Sequence, residues 1–160
     1  MKKLLLTFIF VVLFTSNMSA QYEQGTKFLG ASLTGLNLSY SKHEKLGLGA
    51  EAKAGIFIMD DLLIQGEAGI DVKFKECQQI FVGAKGRYYV AENLYLGAGA
   101  KLLHEFKNHN DLLISPEVGY TYMIKDKFAI EPAFYIDIST NSFSKYTKVG
   151  IKVGIGIFSK

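Results

Sequence analysis

Residues 146–160 read YTKVGIKVGIGIFSK, and this stretch decides the fold. From Val149 every second residue is β-branched and aliphatic: Val149, Ile151, Val153, Ile155 and Ile157. Between them stand Lys148, Gly150, Lys152, Gly154 and Gly156. Strict alternation over this length marks a β-strand with two unlike faces. One face is greasy and the other carries only glycine and lysine. Such a strand asks what its nearly bare face looks onto.

The same alternation runs upstream. It spans 46–58, 62–74, 80–90, 94–102, 112–124 and 128–138, with no helical periodicity after residue 21. The tripeptides MDD, AEN and KDK (59–61, 91–93, 125–127) separate runs as tight turns. Strand onsets at Asp61, Asn93 and Lys127 recur one hairpin apart. The first run, KFLGASLTGLNLSY (27–40), changes phase. Leu29, Ala31 and Leu33 share one parity; Leu36, Leu38 and Tyr40 share the other. A bulge near Gly35 would reconcile them. The expectation is eight long strands joined by short links, so that sequence neighbours pair antiparallel. An even-numbered meander closes naturally into an up-and-down barrel without free edges.

The chain opens with MKKLLLTFIFVVLFTSNMSAQ: two lysines, an apolar run over 4–14, then small polar residues. This is the pattern of a cleaved signal peptide over 1–20, with Gln21 first in the mature domain, 21–160. The apolar run is short for a membrane-spanning helix, and no cysteine near the cut suggests a lipid anchor. Cys77 is the only cysteine, which excludes an internal disulfide. The net charge of +3 is mild and its signs are interspersed, which gives no support to nucleic-acid binding.

Two eight-stranded barrels suit such a chain. A lipocalin-like barrel turns its apolar face inward around a ligand; a transmembrane barrel turns it outward to lipid. Glycine decides between them. Gly47, Gly49, Gly55, Gly69, Gly83, Gly97, Gly99, Gly119, Gly150, Gly154 and Gly156 share the charged face, whereas Gly66 and Gly86 share the apolar one. A face open to water gains nothing from residues that weaken strands. A narrow lumen needs them, because long charged side chains must fit beside something small. Phe74, Tyr88, Phe106, Tyr120, Tyr122 and Phe128 lie toward the ends of the apolar rows, where interfacial girdles form.

The signal segment, alternating strands and aromatic rows resemble the small outer-membrane β-barrels of Gram-negative bacteria, the porin-family or OmpA-like β-barrel proteins. The resemblance covers the whole mature chain and rests on patterns rather than fixed residues. It implies an all-β, eight-stranded antiparallel up-and-down transmembrane β-barrel in the outer membrane. It also implies contact with outer-membrane lipid and with the barrel assembly machinery. In the final strand Lys148, Gly150, Val153 and Ile155 look like the C-terminal assembly signal of such barrels, read by edge pairing. Family members often end on an aromatic residue; here Ser159 and Lys160 follow Phe158. The chain lacks the tryptophan of the lipocalin signature.

The lumen face carries Glu51, Lys53, Glu67, Asp71, Lys85, Arg87, Lys101, Glu117, Glu131, Asp137, Lys148 and Lys152, with Lys73 and Glu105 beside them. Buried charges require partners. Reflection about the turns pairs Lys53 with Glu67, Glu67 with Lys85, Lys101 with Glu117 and Asp137 with Lys148. Pro116 and Pro132 interrupt this scheme and are expected at bulges or unpaired positions on the lipid side. His43, Cys77 and His109 fall in or near connections at one end, and His104 near the headgroup level. Their scatter matches no metal motif. No nucleophile arrangement, phosphate-binding loop or cofactor motif is present. The expected protein is a monomeric structural barrel with a plugged, charge-paired lumen, and not an enzyme. The alternatives are a small-solute or lipophilic-ligand transport barrel and a soluble lipocalin-like binder.

Overall fold

A computed structural model describes residues 22–36, 47–73, 78–105, 109–125, 127–141 and 147–160. The expected signal segment lies outside the described residues, as do His43, Phe74, Cys77 and Phe106. The strands are β1 (Lys27–Leu36), β2 (Gly47–Met59), β3 (Leu62–Lys73), β4 (Gln78–Ala91), β5 (Leu94–Glu105), β6 (His109–Ile114), β7 (Glu117–Tyr120), β8 (Tyr122–Lys125), β9 (Phe128–Ser139) and β10 (Lys148–Ser159). Each pairs antiparallel with its neighbours, and β1 pairs with β10, so the sheet closes on itself.

The ten strands make eight staves, because β6, β7 and β8 succeed one another along a single stave. That stave keeps one register against β5, from Glu105↔His109 through Ala100↔Ile114 to Gly97↔Glu117. Its breaks fall at 115–116 and at Thr121. Pro116 explains the first: it has no N–H to give, and only its carbonyl joins the ladder, accepting from Ile136 N–H at 3.0 Å. The expectation of a bulge at Pro132 fails: Pro132 pairs in regular register with Val153. Its ring nitrogen points away from β10, so the absent donor is felt on the opposite edge of β9.

The phase slip of the first run is a register shift in β1 between Thr34 and Leu36, at Gly35. The turn after β2 holds two residues rather than three, since Met59 pairs with Leu62. Asp61 there adopts φ 61°, a left-handed conformation that aspartate tolerates better than bulkier residues.

The barrel is inverted relative to a soluble protein. Leu33 is 71% exposed and Ile155 65%, whereas Arg87 and Tyr89 are fully buried. Tyr88, Tyr120, Tyr122 and Phe128 ring the outside near the end bearing Tyr22, Lys160 and the short turns. That end is periplasmic in outer-membrane barrels. No helix among the described residues is long and apolar enough to cross a membrane.

Candidate functional site: the closed lumen

The interior is built in three layers. At the periplasmic end Phe28, Phe57, Leu63, Tyr89, Tyr95 and Phe158 form an apolar floor. Tyr22, ahead of β1, completes it. Its ring stacks on Phe57 at 5.1 Å and lies 4.2 Å from Tyr89 and 5.1 Å from Phe158. Residues 22–26 are strapped beneath the barrel. Gly25 N–H donates to Phe57 O at 2.8 Å, and Asp61 N–H to Tyr22 O at 3.0 Å. Gly25 has φ 87°, which only glycine adopts cheaply. Burial, then the nearby Glu131 carboxylate, raises the Tyr22 phenol well above its ordinary range and keeps it neutral.

Above the floor lies the charge layer, centred on Glu117. Its carboxylate meets Lys85 Nζ at 2.5 Å, Lys152 Nζ at 2.8 Å and Arg87 Nε at 3.1 Å. Arg87 Nη1 also donates to both oxygens of Glu131, at 3.1 and 3.2 Å. Glu51 holds Lys53 and Lys152, each at 3.0 Å, and accepts from Ser32 Oγ at 2.6 Å. Arg87 lies over the Tyr95 ring at 4.4 Å, which joins this layer to the floor.

Toward the extracellular end Lys101 reaches Asp137 at 3.4 Å and Glu67 at 3.6 Å. Lys148 lies 3.8 Å from the half-buried Asp71 and donates to Gln79 Oε1 at 3.1 Å. Phe81 and Tyr135 flank Lys101. The void left among these groups is about 10 Å³, the scale of one water molecule.

The twelve charged residues first named, Glu51 through Lys152, all face this interior, although Asp71 is only half-buried; the Lys73 side chain lies outside the described residues. Their partners partly differ from those obtained by reflecting strands. Lys53 stands opposite Glu67 in register, yet its ion pair is with Glu51. Glu67 and Lys85 meet at 3.3 Å as expected. Lys101 is opposite Leu113, not Glu117, because the connection is centred two residues earlier than the sequence suggested. Asp137 and Lys148 are opposite in register, but their ion pairs go to Lys101 and Asp71. In β10, Lys148 and Gly150 face inward while Val153 and Ile155 face outward.

Sequence reasoning missed Tyr22, which belongs to no alternating run. Of the inward hydroxyls, all buried, the alternation places Ser115 and Thr121 on the charged face without giving them a role, and Ser32 and Ser139 were missed. Their parity on the charged face was the available signal. Among the described residues no group of histidine, cysteine and carboxylate side chains could hold a metal ion.

No family model and no curated protein matches the chain. Solved structures do. Neisserial surface protein A aligns with a TM-score of 0.65 at 14% identity, over 83% of this chain and 96% of that one. The N-terminal β-barrel domain of Pseudomonas aeruginosa OprF aligns at 0.61 and 11% identity, over 85% and 98%. A de novo designed transmembrane β-barrel aligns at 0.57 and 15% identity, over 86% and 98%. A designed barrel fits almost as well as natural ones, so the likeness speaks for fold and not for activity. The chain thus has the fold of the small outer-membrane β-barrels, with eight staves, a lipid-facing aliphatic wall and a polar interior.

Proposed function

We propose that the protein is a structural integral barrel of the outer membrane whose lumen is plugged by its own side chains, with no catalytic role. The carrying observation is the filled interior: an aromatic floor sealed by Tyr22 beneath a buried network of ion pairs. Eight staves enclose only enough room for side chains, whereas diffusion channels use about sixteen strands or more. Its partners are outer-membrane lipid and, during insertion, the barrel assembly machinery, which reads β10 while its edge is still open. Purified protein in planar bilayers should give no steady conductance. Sustained open-channel current under neutral conditions would overturn the plug.

A second reading, a barrel that binds a lipophilic ligand, is favoured by one feature of the outer wall. Ile80, Val82, Leu102, Leu112, His104 and Asn110 line a groove of about 500 Å³, within the range of small-molecule sites. His104 Nδ1 and Asn110 Oδ1 lie 2.6 Å apart at its polar margin. Mass spectrometry of the protein released from detergent would show a stoichiometric apolar ligand if this reading holds. The soluble lipocalin-like alternative is excluded by the outward aliphatic face.

A further inference from the structure

The wall between β9 and the stave of β6, β7 and β8 carries two backbone defects. In an antiparallel ladder a residue's N–H and C=O address the same neighbour, and successive residues alternate sides. Ile136 N–H donates to Pro116 O and Thr140 N–H to Leu112 O, each at 3.0 Å, so even-numbered residues of β9 address this seam. Pro132 is among them. Its missing N–H therefore falls opposite Tyr120, one step beyond the Gly119↔Ala133 pair. On the other side Ser115 and Thr121 donate to Gly99 O and Asn93 O of the β5 side, so Pro116 addresses β9. Its missing N–H falls opposite Ile136. Both prolines thus withhold a donor from one seam. Between them lie only Glu117↔Tyr135, Val118↔Phe134 and Gly119↔Ala133. Within hydrocarbon no water replaces a lost backbone partner.

Inside the lumen each defect is flanked by a hydroxyl–carboxylate hydrogen bond across the same seam. Ser115, next to Pro116, donates to Asp137, next to Ile136. Thr121, next to Tyr120, donates to Glu131, next to Pro132, at 3.3 Å. Arg87 holds Glu117 of β7 and Glu131 of β9 together from across the barrel.

We infer that this seam is the opening line built into the barrel wall, and that Ser115 and Thr121 are its latches. The prolines lower the cost of parting β9 from the sixth stave. The hydroxyls hold it shut from inside, as positioning residues acting through Asp137 and Glu131. The inference stands apart from whether the lumen conducts, because it concerns the wall.

The test is residue-resolved amide exchange of the full chain in lipid bilayers. Phe134, Ile136 and Ile138 report on the seam; central amides of β2 and β3 serve as reference. In the unaltered protein the seam amides should exchange at least tenfold faster than the reference. A Ser115→Ala/Thr121→Val variant should raise seam exchange a further tenfold and leave the reference unchanged. A Pro116→Ala/Pro132→Ala variant, which keeps the latches and restores both donors, should slow seam exchange toward the reference. Equal exchange at seam and reference in the unaltered protein would overturn the inference. So would a latch variant that accelerates all staves together, or a proline variant with undiminished seam exchange. Should the latch variant not fold, the proline variant alone decides.

Discussion

Glu117 shows what a single buried charge does in this lumen. Three cations converge on one carboxylate that is itself almost wholly buried. Glu117→Gln keeps the shape and removes the charge, which leaves Lys85, Arg87 and Lys152 undercompensated. The expected loss is about 3–5 kcal/mol in a denaturant unfolding series in bilayers. Lys152→Met in the same background should recover part of it, since the two sites share one network. Glycine makes the complementary point. A Cβ at inward Gly83 would lie 2.6 Å from Ala100 O and 3.0 Å from Lys101 Cγ. At outward Gly66 the nearest atoms are 4.0 Å away. Gly83→Ala should therefore cost about 1–3 kcal/mol by overpacking, and Gly66→Ala less than about 0.5 kcal/mol. Similar losses at both positions would contradict the crowded-lumen explanation for where the glycines lie.

Among the elements, the segment before β1 deserves the same treatment as a strand. Residues 22–26 bond to the end of β2 and to the following turn, and Tyr22 fills the centre of the floor. Gln24 adds a side-chain bond to Ile58 O at 2.9 Å, and Glu23 pairs with Lys160 at 2.7 Å on the surface. The surface pair is worth little, while the buried ring carries most of the effect. Tyr22→Ala should lower unfolding stability by about 3 kcal/mol, whereas Glu23→Gln should change it by less than about 0.5 kcal/mol. Heat-modified gel migration of the two variants would rank them without a full titration. The broken sixth stave is the other lesson at this scale. Pro116 does not end the stave, because it removes a donor on the β9 side only and the β5 register continues.

At the scale of the whole molecule the decisive property is inversion. The aliphatic wall is exposed and the charged face is buried, which suits a barrel surrounded by lipid. Val153→Arg, on the outward face of β10, should cost about 2–4 kcal/mol if it lies near the bilayer midplane. Unfolding and refolding in lipid vesicles would measure that loss. An arginine tolerated without loss there would place Val153 in water and remove the basis for a lipid-facing wall.

The sequence by itself determined the staves, their antiparallel order and which face of each strand is which, because side-chain direction in a strand has a strict period of two. The Lys148–Ile157 alternation, the inward glycines and the slip at Gly35 are all local signals of that kind. It also carried the neighbours set by a short turn, as with Lys53 opposite Glu67. Only the tertiary structure decided which charges pair. Lys152 with Glu117, Arg87 with Glu131 and Lys148 with Asp71 meet across the lumen, between staves that are not adjacent in the sheet. Those contacts depend on barrel closure and stagger, which no local pattern encodes. Tyr22 likewise acquires its place only once the barrel end exists to receive it. The alignment of both prolines on one seam required the register of the sixth and seventh staves. A shift of one residue would have turned each missing donor to the other neighbour.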